Sequence, residues 1–176
     1  AASDVYKRQT KAVAEFEGPV YMRLLRGNRV PLVLDQYDYH FEIGKAKLLR
    51  DGDDALVISC GEMTMRALDA AEELEKEGIH VAVLHPPTIK PLDSETILAE
   101  IQKKPGRLVV TAENHTVVGG LGSLVANLLV DNQVPAKMKK IALPDQYLAA
   151  GTLATLQDLY GVSTKAVTEQ LRSFLK

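Results

Sequence analysis

Residues 113–123 read Glu-Asn-His-Thr-Val-Val-Gly-Gly-Leu-Gly-Ser. This segment follows an apolar run at residues 108–112 and precedes apolar residues at helical spacing over residues 124–129. A strand, a glycine-rich loop and a helix in this order predict a strand-to-helix turn of an α/β sheet. Such turns lie at the carboxyl ends of the strands, where open α/β sheets usually place sites and interfaces. The segment therefore predicts the fold class and the edge of the sheet at which function should be sought.

The glycines of this loop are Gly119, Gly120 and Gly122. Glycine permits positive φ and the close approach of another backbone or of a ligand. The triplet alone is a weak phosphate-binding signal, because the chain has no Gly-x-Gly-x-x-Gly and no Gly-Lys-Ser/Thr sequence. We expect the glycines to let the loop pack tightly against a neighbouring subunit. Anion binding at the start of the following helix is the less favoured alternative.

From about residue 41 the chain alternates strands and helices with short connections. Apolar runs predict strands near residues 55–60, 79–84, 107–112 and 138–143, and helical spacing predicts helices near residues 65–76, after Asp93 or Ser94, after the glycine loop, and at 152–160 and 164–175. This order predicts a three-layer α/β fold, an open and mostly parallel sheet with helices on both faces. A first strand within residues 41–50 must run antiparallel to the next strand, since only the turn at 51–54 joins them, and it should lie at an edge.

The N-terminal part of the chain has a different character. Residues 10–17 predict the end of a helix and residues 20–26 predict a strand. A helix and a strand with no partners before them indicate the tail of another domain, and the abrupt start suggests a longer natural protein. The predicted division is a domain tail at 1–30, a linker at 31–40 and a C-terminal domain at 41–176.

The composition argues against several classes of protein. Of 176 residues, 46% are hydrophobic, and 21 basic against 23 acidic side chains give a net charge of −2, so we expect neither nucleic acid nor a membrane as partner. No apolar run approaches the roughly 18 residues of a membrane helix, and no signal peptide is visible, so a cytoplasmic location is the default. The single cysteine, Cys60, should be a buried small hydrophobe. No histidine or cysteine pair has metal-ligand spacing, so we predict no metal site.

Several motifs, in the same order, resemble the transketolase family, which includes the deoxyxylulose-phosphate synthases. Residues 18–28, Gly-Pro-Val-Tyr-Met-Arg-Leu-Leu-Arg-Gly-Asn, resemble the closing strand of the pyrimidine-binding domain of that family. The other motifs resemble parts of its C-terminal domain: Phe-Glu-Ile-Gly-Lys-Ala at 41–46, Thr-Ile-Lys-Pro-Leu-Asp at 88–93, the glycine loop, where Glu-Glu-His is commoner than Glu-Asn-His, Ala-Leu-Pro-Asp at 142–145 and Leu-Tyr-Gly-Val-Ser at 159–163. The resemblance covers residues 11–176 and points to the C-terminal part of the C-terminal subunit of a split transketolase.

The resemblance implies a thiamine-diphosphate enzyme that transfers a two-carbon ketol unit between sugar phosphates. Another domain or subunit would hold the diphosphate and its divalent metal ion, and the glutamate that activates the aminopyrimidine would lie upstream. We therefore expect this chain alone to supply no catalytic residue, to bind no thiamine diphosphate and to have no transketolase activity. The implied partners are an N-terminal thiamine-binding domain or subunit and the sugar phosphate, in a homodimer or a heterotetramer.

Arg26 is the strongest candidate for a site residue. The resemblance implies that an arginine before Gly-Asn reaches the phosphate of the sugar substrate, and a guanidinium fork suits phosphate oxygens. Glu113 and His115 alternate along an extended segment, so both side chains could face one cleft as an acid–base pair. The resemblance implies no catalytic role for them, and contacts between domains or subunits are the preferred interpretation. His85, before two prolines, is expected to be a packed or interface residue.

Two other functions remain open. A beta subunit of a 2-oxoacid dehydrogenase shares this domain and uses it to dock an acyltransferase core. The run Leu-Leu-Arg-Gly-Asn at 24–28 and the intact Gly-Gly-Leu-Gly-Ser favour a transketolase over that subunit. The third possibility is a free-standing interaction module without catalysis, which a true start at residue 1 would favour.

Overall fold

A computed structural model describes residues 4–24, 34, 37 and 39–176 of the chain. In chain order its elements are α1 (Asp4–Glu15), β1 (Lys47–Arg50), β2 (Ala55–Ser59), α2 (Glu62–Glu75), β3 (Val81–His85), α3 (Ser94–Lys103), β4 (Leu108–Thr116), α4 (Leu121–Asp131), β5 (Met138–Leu143), α5 (Leu153–Leu159) and α6 (Thr164–Phe174). The strand predicted at residues 138–143 is confirmed to the residue. None of the helices in the described ranges has the length and apolar character needed to cross a membrane.

The five strands form one sheet in the order β1-β3-β2-β4-β5. Strands β3, β2, β4 and β5 are parallel, and β1 pairs antiparallel with β3. The predicted fold class, a mostly parallel sheet with one antiparallel edge strand, is confirmed. Strand β1 hydrogen-bonds to β3 although the short turn at 51–54 leads to β2, because β3 and β4 occupy both edges of β2.

Helices cover both faces of the sheet, as predicted. Alternate residues of β2 and β3 pack into two separate apolar clusters, one beneath α2 and α6 and the other beneath α3 and α4. Every residue of these two strands is buried. Continuous apolar runs are typical of strands covered on both faces, which is why the sequence identified them.

Capping side chains set the starts of three helices in the described part of the chain; the hydroxyl of Thr152 caps α5 by accepting from the Thr155 backbone N–H at 3.4 Å. Asp93 Oδ1 accepts a hydrogen bond from the Thr96 backbone N–H at 3.2 Å and caps α3, so Asp93 rather than Ser94 is the capping residue. Ser163 Oγ accepts from the Ala166 backbone N–H at 3.2 Å and caps α6, as predicted. These caps account for the accuracy of the predicted helix starts in the second half of the chain.

The N-terminal part departs most from the predictions. Helix α1 includes most of the predicted helix end at residues 10–17. The predicted strand at residues 20–26 is wrong for residues 20–24, which form no strand. Tyr21 is 91% exposed and Leu24 59% exposed. No strand in the described part of the chain pairs with these residues, and a lone strand leaves its backbone groups without hydrogen-bond partners.

The segment predicted as a linker contributes to the core. Leu34 and Tyr39 are buried in the cluster beneath α2 and α6. Arg8 Nη1 of α1 donates a hydrogen bond to the carbonyl oxygen of Tyr39. Residues 31–33, 35, 36 and 38 of this segment lie outside the described residues. The division at 1–30, 31–40 and 41–176 stays a prediction.

Candidate functional site

The carboxyl ends of β2, β3 and β4 lie side by side at one edge of the sheet. Ser59, His85 and Glu113 stand at or near these strand ends, and all three are buried. Strand β4 is longer than the predicted 107–112, because its pairing with β5 resumes after an irregularity and ends at Thr116. Glu113 and His115 therefore lie in the last residues of β4, just before the glycine loop.

Glu113 is the anion at the start of α4. Its carboxylate oxygens accept hydrogen bonds from the backbone N–H groups of Leu121 and Gly122, both at 2.8 Å, and the residue is 3% exposed. The first N–H groups of a helix have no partner within the helix and carry partial positive charge. A buried carboxylate is therefore stabilised here, and Glu113 of β4 satisfies the N–H groups that a capping residue would otherwise bind.

The geometry requires two of the loop glycines. A Cβ at Gly120 would lie 1.9 Å from Glu113 Oε2, and a Cβ at Gly122 would lie 2.7 Å from Thr111 Oγ1. Gly119 differs, because its φ is +74° and a Cβ there would meet open space. The close approach at positions 120 and 122 is thus made within the chain itself. Contact of this loop with a neighbouring subunit stays a prediction.

The side chain of Asn114, the next residue, lies on the opposite face of the sheet, against α2. Its Nδ2 donates to Glu62 Oε1, and Glu62 Oε2 pairs with Arg66 Nη2 at 3.0 Å. Arg66 Nη1 donates to the carbonyl oxygen of Val162 in the turn between α5 and α6. Burial lowers the pKa of Arg66, and the charge of Glu62 opposes this shift. This Glu62–Arg66–Asn114 cluster, which the sequence did not reveal, joins α2, β4 and the C-terminal helices.

The substitution Asn114→Asp should lower stability at neutral pH. It would set a second carboxylate against Glu62, which is 3% exposed. We expect a loss of about 2 kcal/mol in the free energy of unfolding at pH 7. Protonation of either carboxyl group removes the repulsion, so the loss should shrink as the pH falls towards about 4. Urea unfolding followed by circular dichroism measures it. In a Glu62→Gln background the loss should be much smaller, and an equal loss in both backgrounds would contradict the carboxylate explanation.

His115 is not brought together with Glu113. It is exposed, and its Nδ1 lies 3.1 Å from the Thr116 carbonyl oxygen, whereas both carboxylate oxygens of Glu113 are bound to backbone N–H groups. In this arrangement the two residues do not form an acid–base pair. Their roles in contacts between domains or subunits stay predictions.

His85 and Cys60 are the other titratable residues at this edge. His85 is 1% exposed, consistent with a packed residue, and burial lowers its pKa to about 4. Cys60 is half-buried rather than fully buried as predicted, and it follows the last residue of β2, one position beyond the strand in which the sequence had placed it. Burial and then the charge of Glu113 raise the pKa of the Cys60 thiol to about 12. The thiol is therefore protonated at neutral pH, which fits an unreactive cysteine.

Arg26, the predicted phosphate ligand, lies outside the described residues, as do its neighbours over residues 25–33. Arg23, three residues earlier, is described and exposed. The assignment of Arg26 to substrate phosphate stays a prediction.

An open groove of about 720 Å³ lies beyond the ends of β4 and β5. Its lining includes Val117, Pro144, Leu159 and Tyr160. The Tyr160 hydroxyl accepts a hydrogen bond from the Ala149 backbone N–H at 2.6 Å, which holds the chain that follows β5 near the groove. The lining is mainly apolar, so the groove suits a contact between protein surfaces better than catalysis.

The described residues do not fit a bound thiamine diphosphate. Among them no three His, Cys, Asp or Glu side chains are placed to hold a metal ion. The N-terminus of α4, which follows the glycine loop, has two of its first N–H groups bound to the Glu113 carboxylate. A diphosphate would have to displace that buried carboxylate.

Comparison with known proteins gives one consistent result. The profile of the family described as "Transketolase, C-terminal domain" matches residues 44–167. A transketolase family protein of Sinorhizobium fredii is 61% identical over 175 residues, which are 99% of this chain and 50% of that protein. A transketolase C-terminal section of Methanocaldococcus jannaschii is 34% identical over 178 aligned residues, which are 100% of this chain and 55% of that protein. The chain thus spans about half the length of these curated relatives.

A solved structure agrees with these sequence matches. It is described as a split gene transketolase, an inactive beta4 tetramer. It superposes with a TM-score of 0.83 at 36% identity, over 99% of this chain and 56% of the solved one.

Proposed function

Because this chain belongs to the transketolase C-terminal domain family, we propose that it is the C-terminal portion of a thiamine-diphosphate-dependent transketolase-type enzyme. The complete enzyme would transfer a two-carbon ketol unit between sugar phosphates in the cytoplasm. The family match over residues 44–167 is the observation that carries this proposal. The chain itself would supply contacts between domains and subunits and, through Arg26, a ligand for the substrate phosphate.

Exposed large apolar side chains in two parts of the chain support the contact role. One follows α1 and includes Phe16, Tyr21 and Leu24, which are 47%, 91% and 59% exposed. The other borders the groove and includes Val118 and Leu159, which are 58% and 64% exposed. Where such side chains form a continuous patch, they commonly mark a surface that another protein covers.

The partner would be an N-terminal thiamine-binding domain or subunit, together with further copies of this chain in a homodimer or heterotetramer. That partner would hold the thiamine diphosphate and its divalent metal ion, because the described residues of this chain do not fit them. The similar split-gene chain forms a tetramer of beta chains that is described as inactive. This agrees with a division of labour in which the present chain is inactive alone.

Reconstitution tests the proposed function. The complete polypeptide that contains this chain would be mixed with the N-terminal thiamine-binding subunit, thiamine diphosphate and Mg²⁺. We expect ketol transfer from hydroxypyruvate to an aldose phosphate only with both proteins present, and no binding of thiamine diphosphate by the 176-residue chain in calorimetry. Oxidative decarboxylation of 2-oxoacids in place of ketol transfer would instead identify a dehydrogenase beta subunit. Ketol transfer that persists when this chain is omitted would refute the proposal.

The substitution Arg26→Ala tests the phosphate assignment in the reconstituted enzyme. We expect the KM for phosphorylated sugars to rise about tenfold or more while the KM for hydroxypyruvate hardly changes, because only the sugars carry a phosphate for the guanidinium to bind. Steady-state kinetics with both substrates measures this. Arg23→Ala is the matched control, removing an equal charge three residues away. An equal effect of Arg26→Ala on both substrates would remove the phosphate assignment.

A further inference from the structure

His85 is held in one tautomer by its neighbours. The Thr64 hydroxyl donates to the Ser59 carbonyl oxygen at 2.9 Å, so Thr64 Oγ1 is left to accept from His85 Nδ1, 2.8 Å away. His85 Nδ1 also lies 3.2 Å from the Ser59 carbonyl oxygen, which can only accept. The hydrogen-bond network therefore assigns the proton of the neutral ring to Nδ1. Nε2 is then a bare acceptor, buried and without a partner among the described residues.

The ring of Tyr39 covers His85. The two ring centroids are 5.4 Å apart at an interplanar angle of 66°, an edge-to-face contact, and Tyr39 is 2% exposed. The backbone carbonyl of Tyr39 accepts the hydrogen bond from Arg8 of α1. The His85–Tyr39 contact thus joins the end of β3 to the segment before β1 and, through Arg8, to α1.

We propose that His85 is a pH-sensitive latch, which holds Tyr39 over the end of β3, and with it the hydrogen bond from Arg8 of α1, while Nε2 is unprotonated, and which releases them when Nε2 takes up a proton from solvent. Protonation would create a buried N–H and a positive charge for which the described surroundings offer no acceptor at Nε2. The segment bearing Tyr39 lies over the ring, so its displacement would let water reach the imidazolium.

The groups around His85 do not offset this charge. Ser59 of β2 and Thr64 of α2 are neutral, and burial raises the pKa of Tyr39, which keeps its hydroxyl neutral as well. Lys47 lies opposite His85 in the β1–β3 register, is exposed, and has the same sign as an imidazolium. Among the described residues, no carboxylate contributes to the pKa of His85.

The direction of the pH effect follows from linkage. The pKa of His85 is lowered from 6.5 to about 4 in the latched form, so the latched form binds fewer protons than the open one. Latching is complete above about pH 6.5 and weakens as the pH falls towards about 4. The open population should rise about twentyfold between pH 7 and pH 5.

Hydrogen–deuterium exchange by mass spectrometry on the complete protein that contains this chain tests the latch. Opening would be measured at pH 7 and pH 5, with rates corrected for intrinsic exchange. We expect about twentyfold more opening at pH 5 in peptides from α1 and residues 39–46, while peptides from β2 and β4 keep their protection. His85→Gln should abolish the pH dependence, since its amide can bind Thr64 but does not titrate. His80→Gln, at an exposed histidine, is the control that should retain it.

Two results would overturn the latch. One is an unchanged pH dependence in His85→Gln, and the other is simultaneous opening of β2 and β4, which would mean global unfolding. If His85→Gln does not fold, Tyr39→Leu serves the same purpose. It should leave α1 open already at pH 7, with no further opening at pH 5, and a persisting pH dependence in that variant would equally contradict the proposal.

Discussion

Gly52→Ala is expected to lower the free energy of unfolding by roughly 3 kcal/mol or more. A Cβ at position 52 would lie 2.5 Å from the Val81 carbonyl carbon, 2.6 Å from the Ala82 nitrogen and 2.6 Å from the His80 oxygen. All three are backbone atoms at the start of β3, so no side chain can rotate away to make room.

The backbone of Gly52 cannot move away either. Its carbonyl oxygen accepts hydrogen bonds from Arg107 Nη1 at 2.7 Å and from Lys104 Nζ at 3.3 Å. Urea unfolding followed by circular dichroism measures the loss. Gly78→Ala is the control, because a Cβ there meets open space and only the φ of +77° is unfavourable, which should cost about 1 kcal/mol. A loss below that of Gly78→Ala would show that β3 can shift.

Glu113→Ala should destabilise the chain by about 3 kcal/mol, because it removes two charge-assisted hydrogen bonds and leaves two N–H groups of α4 without their acceptor. Gly120→Ala should also be costly, since its Cβ would collide with the same carboxylate. The two losses should not add. In a Glu113→Ala background the added methyl group finds free space, so Gly120→Ala should cost about 1–2 kcal/mol less there than in the unaltered chain.

A double-mutant cycle by urea unfolding measures this coupling. Gly119→Ala is the matched control in the same loop, because its Cβ would meet open space and does not depend on Glu113. It should cost the same with and without Glu113. Additive losses for Gly120→Ala and Glu113→Ala would contradict the contact between them.

The strands of the sheet could be predicted from the sequence because a strand buried on both faces appears as a continuous run of apolar residues. Strands β2, β3 and β5 are apolar or alternating runs bounded by glycine, proline or charged residues. Strand β4 was predicted too short, since its last residues are polar and only its pairing with β5 keeps them extended. The strand predicted at residues 20–26 failed over 20–24 for the opposite reason, because an apolar run forms a strand only where a neighbour supplies hydrogen bonds.

The candidate site was less accessible from the sequence. The link from Glu113 to the N–H groups of Leu121 and Gly122 spans a loop whose conformation no periodicity describes. An acidic residue before a Gly-Gly helix start is the available signal, and the sequence alone assigns Glu113 to contacts between domains or subunits rather than to the start of α4. Asn114 and Glu62 are 52 residues apart in the chain, and such a pairing leaves no local trace.

Glu113 and Asn114 have a mechanical consequence together. They are neighbours on one strand, so their side chains leave the sheet on opposite faces, one fastened to α4 and the other to α2. One helix of each layer, α4 on one face and α2 on the other, is thereby anchored to adjacent residues of β4. Sliding of either layer along the sheet would break a buried polar anchor, and the strand that carries one anchor carries the other. We therefore expect a displacement of the glycine loop to disturb the contacts of β4 with both α4 and α2.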